Sequence, residues 1–448
     1  MRPHDMSRGR CRNPTSMTKS SLEPSAGSGT NGVKTLFGDP KKAIIKLSIP
    51  MMVAMSVQTI YNIVDAFWVS GLGADALAAM GFVFPFFFVI MSLSNGLGIG
   101  GGAAISRRIG AKDKPGADNV AVHTIVIMVM IAVGFSVPFF LLARDIFVLM
   151  GACGTTEMVV AYARIIFAGS IIIFFTNVAG AILRSEGDAK RAMYVMVLGA
   201  GLNIVLDPIF IYTLGMGIEG AAWATLVSLG VSSVIMSNWL FFRKDTYVAF
   251  KFSAFGFDGG IIRDIFRVGL PASVQQLSMA ITTLIMTVII VMVSNTDGVA
   301  IYSVGWRVAT IAIAPLIGIA TAVISVTGAA FGKQSFEGVK IAHIYATKIG
   351  LVIETIIAAA TFAVAPGVSA IFTQAEGAAH IATDLTTFLR IICIFYPTVS
   401  LGMMSSSLFQ GVGNGMDALI ATILRTLVLT PIFAILFAFN LEMGLTGI

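Results

Sequence analysis

Four ionisable side chains lie inside long apolar segments of this 448-residue sequence: Asp65, Asp207, Glu354 and Arg425. A charged group costs several kcal/mol in hydrocarbon, so such residues usually serve ion or proton pathways. Tyr61 precedes Asp65 by one helical turn, and Asn203 precedes Asp207 by the same spacing. We therefore predict that the two aspartates form one site, which exchanges protons near neutral pH or holds Na⁺ when ionised. The alternative is that each aspartate is hydrogen-bonded and purely structural.

The other two buried charges have opposite signs and lie in the second half of the chain. Glu354 and Arg425 could form a structural ion pair, because buried pairs are commonly structural. They could equally take part in coupling within the second half. A shallower cation, Arg307, follows Trp306, and we expect a structural or stacking role for it.

Several uncharged residues are candidates for lining a substrate cavity: Gln58, Gln275, Gln276 and Trp306. For the two neighbouring glutamines, packing contacts explain their positions equally well. The sequence also has 23 Met and 32 Phe. Those that reach a cavity would suit shape-tolerant binding of apolar cations, because thioethers adapt and aromatic faces attract cations.

The composition indicates that the solvent of these segments is lipid. The mean hydropathy is +0.90 and 56% of the residues are hydrophobic. Only 12% are charged, about half of the usual share in a soluble domain. This excludes a soluble enzyme, a nucleic-acid-binding module and a disordered chain. The net charge of +6 is typical of cytoplasmic loops that face anionic lipid.

The chain lacks the usual catalytic motifs. It has no HExxH or CxxC motif and no Ser/His/Asp set, so we do not predict an enzyme. The glycine-rich run 96–102 lies inside an apolar segment and lacks the Lys-Ser/Thr of a phosphate-binding loop. We predict that this run allows close helix packing instead.

Apolar windows of about 20 residues or more predict eleven transmembrane helices. They lie near 44–70, 76–106, 119–143, 160–183, 192–214, 218–242, 268–294, 298–332, 338–366, 382–412 and 417–441. We predict a disordered cytoplasmic tail over 1–40, an N-lobe over 41–243, a cytoplasmic linker over 244–262 and a C-lobe over 263–448. Basic loops after alternate spans place the N-terminus in the cytoplasm. Helix kinks are expected at Pro50, Pro208 and Pro271.

The two halves repeat one another. Leu206-Asp207-Pro208-Ile209-Phe210 returns as Leu429-Thr430-Pro431-Ile432-Phe433, and Arg164-Ile165-Ile166 returns as Arg390-Ile391-Ile392. Five such matches have offsets between 221 and 227. Because both halves start on the cytoplasmic side, they are related by an axis along the membrane normal. Ile448 aligns with the start of span six, so a twelfth helix is expected that this sequence lacks.

Three motifs resemble the multidrug and toxic compound extrusion (MATE) transporters. The run Gln58-Thr59-Ile60-Tyr61-Asn62-Ile63-Val64-Asp65 resembles the first helix of that family. Leu183-Arg184-Ser185-Glu186-Gly187-Asp188 is similar to the family's loop between spans four and five. Gln410-Gly411-Val412-Gly413-Asn414 is similar to its counterpart in the second half. The resemblance covers about residues 43–448.

The resemblance implies an all-α membrane protein of two six-helix lobes around a V-shaped cavity. The placement of the carboxylates resembles the DinF-like branch of the family. Asp65, Asn203, Asp207 and Thr225 of this sequence match the positions that form the cation or proton site in that branch. It implies a monomer in a prokaryotic plasma membrane that needs no cofactor besides the coupling ion, H⁺ or Na⁺. The implied function is export of organic cations, drugs or other amphiphiles against that ion. A flippase for lipids or lipid-linked precursors, from the same superfamily, is the alternative.

Overall fold

The computed structural model describes residues 30–152, 154–243, 245–250, 256–373, 379–441 and 443–447, and within them every regular element is a helix. Eleven apolar segments are long enough to cross a membrane when one bent pair of helices is taken as a single span. This confirms the all-α membrane class and the number of spans predicted from the apolar windows.

The end of the predicted disordered tail is folded, so that prediction is wrong for its last residues. Helix α1 spans Asn31–Phe37, and the Thr30 side chain caps it by accepting a hydrogen bond from the Val33 N–H (3.4 Å). Val33 and Leu36 are buried against the protein core. Apolar side chains at helical spacing therefore contribute to docking this segment. Residues 1–29 of the predicted tail lie outside the described residues.

The N-lobe is built from α2 (Pro40–Ser70), α3 (Ala74–Gly110), α4 (Lys114–Leu141), α6 (Thr156–Ser185), α7 (Ala189–Pro208) and α8 (Gly217–Ser237). A short helix, α5 (Ala143–Leu149), connects α4 to α6. Acidic side chains start several of these helices; Asp113, for example, accepts a hydrogen bond from the Gly116 N–H (2.9 Å). Beyond Pro208, α7 continues as a π-helical turn, Ile209–Thr213.

The C-lobe begins with α9 (Gly259–Gly332), which contains two spans, Gly259–Ser294 and Asp297–Gly332. It continues with α10 (Phe336–Phe372), α11 (Ala382–Ile392) and α12 (Phe395–Val412). The last two form one span bent by 43° at its break. Finally α13 (Gly415–Ile423) and α14 (Thr430–Ile435), joined and followed by π-helical turns, make up the span Gly415–Asn440.

Helix α9 folds back on itself near residues 295–296. Gly269, in its first span, lies against Gly96 of α3, whereas Gly328, in its second span, lies against Ser106 of the same helix. Gly96 and Ser106 are about 15 Å apart along α3. A straight helix would separate Gly269 from Gly328 by nearly 90 Å. The two spans are therefore antiparallel neighbours that both pack on α3.

The internal repeat is visible in the backbone. The loops before α4 and α10 each hold a non-glycine residue in the left-handed region, Lys112 (φ 59°) and Gln334 (φ 60°). The next residue caps the following helix in both cases: Asp113 accepts from the Gly116 N–H, and Ser335 accepts from the Gly338 N–H (3.3 Å). The shared spacing of 222 residues agrees with the offsets in the sequence.

Glycines bring the two lobes together at the end that carries the basic loops. A Cβ on Gly100 would collide with Ile265 and Gly269, one on Gly110 with Ala329, and one on Gly332 with the Arg107 carbonyl. The close-packing interpretation of the glycine run is confirmed by these contacts. Since the loops at this end are the ones predicted to be cytoplasmic, the lobes are closed on that side.

Of the three prolines predicted to kink helices, Pro208 is followed directly by a π-helical turn, and the kink itself stays a prediction. Pro50 lies inside the continuous helix α2 and Pro271 inside α9. Kinks at these two positions remain predictions.

Candidate functional site

The predicted N-lobe residues meet between three helices. Asp207 and Asn203 lie on α7 with at most 2% of their surfaces exposed, and Asp65, on α2, is half-buried. Thr225 projects from α8, where its hydroxyl donates to the Ala221 carbonyl (3.0 Å) and accepts from Asn203 Nδ2 (3.4 Å). Tyr61, one turn before Asp65, also interacts with Thr225. The structure therefore brings together all five residues of the predicted site.

The carboxyl groups of Asp65 and Asp207 lie close enough to interact directly. Even so, both carboxyl oxygens of Asp207 and Oδ1 of Asn203 are buried without a well-formed hydrogen bond. Buried acceptors are nearly always satisfied in native proteins, so three in one place need an explanation. A proton or a small cation would satisfy them, since each of these groups offers only lone pairs there.

The backbone at this site is irregular. Asp207 is the penultimate residue of α7, directly before Pro208 and the π-helical turn. That turn is tied to α2, because the Tyr212 hydroxyl donates to the Trp68 carbonyl (2.6 Å). Single π-helical turns often occur at functional sites. A change in the charge of the Asp65–Asp207 pair can thus be transmitted along both α2 and α7.

Sequence reasoning missed Tyr162. This residue lies on α6, within electrostatic range of both Asp65 and Asp207. Its phenol is a hydrogen-bond donor on a fourth helix beside the pair. The sequence carried no signal for it, because nothing polar lies one turn away on its own face.

In the C-lobe, Glu354 and Arg425 do not meet. The ion pairs between described residues include none that joins them. Glu354 is fully buried, whereas Arg425 is exposed and places its guanidinium beside Gly402 of α12. The interpretation as a structural ion pair is therefore wrong. Opposite charges on two helices do not pair unless both helix faces turn towards each other.

The predicted cavity residues have different surroundings. Gln275 cross-links three helices: its amide donates to the hydroxyls of Ser406 (3.0 Å) and Thr422 (2.7 Å), and its oxygen accepts from Gln410 (3.0 Å). These bonds are structural contacts, and a cavity role for Gln275 remains a prediction. Trp306 stacks on Tyr302 with an interplanar angle of 14°. Gln58 and Gln276 are half-buried, and their cavity role remains a prediction.

A second polar cluster, missed from the sequence, fixes the linker between the lobes onto the N-lobe. The Glu186 carboxylate oxygen Oε2 accepts from the N–H groups of Tyr247 (2.8 Å) and Val248 (3.1 Å). Asp118 Oδ1 accepts from the Ala249 N–H (2.8 Å), and His123 Nε2 from the Asp258 N–H (3.0 Å). Burial raises the pKa of Glu186 to about 8, and the two backbone N–H groups oppose that rise.

One side chain bridges the lobes beside this linker. Arg107 of α3 donates to Asp264 of α9 (2.6 Å) and to the Gly411 carbonyl at the end of α12 (3.2 Å). Its side chain is 12% exposed and that of Asp264 is 31% exposed. This ion pair links the lobes at the end where the glycines bring them closest.

Among the described residues, no three His, Cys, Asp or Glu side chains are arranged to hold a metal ion. The N-lobe site is of another kind, with two carboxyls, an amide oxygen and a hydroxyl. Such hard oxygen donors suit a hard cation that is bound and released, or a proton.

A family model described as MatE matches this chain twice, over residues 50–209 and 271–436. The Multidrug export protein MepA of Staphylococcus aureus (strain MRSA252) is 25% identical over 412 residues, which cover 91% of this chain and 89% of MepA. A multidrug resistance MATE family transporter solved in an outward-facing conformation is 48% identical with a TM-score of 0.91. A MOP superfamily transporter from Pyrococcus furiosus is 48% identical with a TM-score of 0.90. Each of these two alignments covers 93% of both chains.

Proposed function

Since the chain belongs to the MatE family of multidrug and toxic compound extrusion transporters, we propose that it exports amphiphilic or cationic small molecules in exchange for H⁺ or Na⁺. It is a multi-pass membrane transporter and not an enzyme. The observation that carries the proposal is the cluster of unsatisfied oxygens on Asp207 and Asn203 beside Asp65. The name of MepA as a multidrug export protein supports the substrate class.

Ion binding is linked to the lobes through α2. This helix carries Asp65, and its residues Met51 and Met52 lie against Gly318 in the second span of α9. The two places are about 20 Å apart along one helix. A proton or Na⁺ that neutralises the aspartates removes the repulsion between α2 and α7. The resulting movement of α2 acts directly on the contact with the C-lobe.

The lobes then alternate between two cavity states. The structure is closed at the end with the basic loops, which we place in the cytoplasm together with the N-terminus. Ion binding favours one state and substrate favours the other, so each ligand drives the exchange only through its differential affinity. We place the protein in the plasma membrane of a prokaryote, where it works as a monomer.

The decisive experiment replaces the two aspartates by asparagine in the purified protein in proteoliposomes. Asp65→Asn and Asp207→Asn keep size and hydrogen bonding but remove the charge change, so each should nearly abolish ion-driven export while the protein stays folded. The double variant should be little worse than either single variant, because the residues act as a unit. Asn203→Ala and Thr225→Ala should weaken ion dependence less, because neutral ligands contribute only dipoles.

Asp75→Asn is the matched control, since Asp75 is exposed at the start of α3. It should leave export unchanged. Parallel measurement of proton and Na⁺ flux identifies the coupling ion. Normal ion-driven export by the double aspartate variant would contradict the proposed site. Translocation of lipid headgroups without export of small molecules would instead favour the flippase alternative.

A further inference from the structure

Glu354 lies in the middle of α10 with a carboxyl that the ion-binding site does not use. The side chain is fully buried, and neither carboxyl oxygen has a hydrogen-bond partner. It belongs to a buried stripe of mostly small residues at helical spacing: Ala346, Gly350, Glu354, Ala358, Thr361 and Ala365. An ionised carboxylate in such surroundings is unfavourable by several kcal/mol unless a partner compensates it.

Among the described residues, the groups beside Glu354 do not supply a compensating charge. Tyr396, in the first turn of α12, lies within electrostatic range and is fully buried, and its hydroxyl has no well-formed hydrogen bond, although the Thr361 hydroxyl of α10 is near enough to interact with it. Cys393, beside it, donates its thiol to the Leu389 carbonyl (3.1 Å). The guanidinium of Arg390 lies 5.1 Å from the ring centroid of Phe362, which is about two turns beyond Glu354 on α10. The carboxyl is therefore an unsatisfied acidic group in an apolar layer, with the weakly bonded tyrosine hydroxyl near it.

These groups lie beside the break in the bent span. Helices α11 and α12 meet at 43° across residues 393–394, and Tyr396 follows this break immediately. A change in the bend angle moves the hydroxyl relative to α10, which carries Glu354. The chemistry of the carboxyl and the shape of this span are thus physically connected.

The other lobe shows that the fold does not need this arrangement. With the spacing of 222 residues that relates α4 to α10, the position of Glu354 corresponds to Ala132, which is also fully buried. The N-lobe span that corresponds to the bent one is α6, a single unbroken helix from Thr156 to Ser185. At these corresponding positions, the C-lobe has a buried carboxyl and a broken span, whereas the N-lobe has a methyl group and an unbroken helix. The fold therefore does not require the carboxyl or the break.

We propose that Glu354 is a second proton-binding site, located in the C-lobe and controlled by the bend between α11 and α12. In the state shown, its carboxyl holds the proton. When the bend changes and water enters, the carboxylic O–H bond breaks and the proton passes to water. The carboxylate left behind accepts a hydrogen bond from the Tyr396 hydroxyl. A metal cation does not fit, because one carboxyl and one hydroxyl are too few ligands for a hard cation, which takes about six.

Infrared difference spectroscopy on the full chain in liposomes tests the proton, because the C=O stretch of a protonated carboxyl is separate from the carboxylate bands. The background is the Asp65→Asn, Asp207→Asn variant, which removes the N-lobe acids. At pH 7, the spectrum of this background minus the spectrum of the same background carrying Glu354→Gln should show one protonated-carboxyl band. Glu337→Gln, at the exposed start of the same helix, should reveal none. Absence of the band in the Glu354 subtraction would overturn the proposal, whatever the outcome for export.

A second measurement tests the control by the bend. Spin labels at the exposed positions Thr383 on α11 and Leu401 on α12 report the distance across the break. In the otherwise wild-type protein this distance should change as the pH rises from about 6 to about 10, and Glu354→Gln should remove that change. A distance that is independent of pH in the wild-type background, or one that changes equally in the variant, would contradict the proposal.

Discussion

Replacing Glu186 with glutamine should remove a pH dependence from the linker between the lobes. The carboxyl is 1% exposed and accepts from the N–H groups of Tyr247 and Val248. Burial raises its pKa from the ordinary value of 4.5 to about 8, against the effect of those two donors. Glutamine offers an oxygen at the same place and never ionises, so it imitates the protonated carboxyl.

The direction of this pH dependence follows from the number of protons bound in the closed and open states of the linker. When the linker is closed, Glu186 keeps its proton up to about pH 8. When the linker is open and the carboxyl is wet, the proton leaves above about pH 4.5. The closed state therefore binds more protons between these values. Its stability is complete below pH 4.5 and falls as pH rises to about 8, by at most about 1.4 kcal/mol per pH unit and about 5 kcal/mol in total.

Hydrogen exchange of the Tyr247 and Val248 amides measures this opening directly. Exchange rates between pH 6 and 9 are converted to protection factors, so that the intrinsic pH dependence is removed. Wild-type protection should fall as the pH rises towards 8, whereas Glu186→Gln should stay flat. The variant should exceed the wild type already at pH 6, by about 2 kcal/mol or about thirtyfold in protection, and by more at pH 9. Glu219→Gln, exposed at the start of α8, should behave as the wild type. An equal pH slope in Glu186→Gln would refute the reasoning.

Two further predictions concern the contact between the lobes. Asp264→Asn weakens a half-buried, charge-assisted bond to Arg107 that is worth about 1 to 2 kcal/mol. The population of molecules open at the basic-loop end should therefore rise about tenfold, measured as distances between labels across that end. Unchanged label distances would show that the bond does not hold the lobes together. Gly110→Val places a side chain onto the Ala329 backbone and should block closure, measured as labelling of cysteines buried between the lobes. Gly134→Val, with open space beside it, is the control and should label as the wild type does.

The eleven spans could be predicted because lipid leaves the backbone few choices. Each apolar segment must satisfy its own N–H and C=O groups, and about 20 residues of helix cross the hydrocarbon. The repeat in the sequence then gave the relation between the halves. The docking of α1 was missed because its two buried apolar side chains, Val33 and Leu36, are too weak a periodic signal in a polar segment.

The site was predictable only in part, because sequence reveals which residues are unusual but not which face they occupy. Asp65 and Asp207 stood out as carboxyls among apolar residues, and they do meet. The same reasoning failed for Glu354 and Arg425, since the glutamate turns into a stripe of alanines. Glu186 stood in the motif that resembles the family's loop between spans four and five, but nothing in the sequence indicated that its carboxyl is buried. A glutamate in a charged loop is normally solvated, whereas linker residues 61 and 62 positions later fold over this one.

The contacts around the linker also identify the place about which the lobes can turn. Its described parts, 245–250 and 256–258, are held on the N-lobe at both ends, by Glu186 and by His123. Directly after Asp258, α9 begins with a pair of glycines, 259 and 260, and about one turn later Asp264 reaches Arg107. The linker therefore moves with the N-lobe, and opening at this end must break the Arg107–Asp264 bond while the bond of Asp258 to His123 persists. We infer that the start of α9 is the pivot, and that the proposed cycle makes and breaks the ion pair one helical turn beyond it.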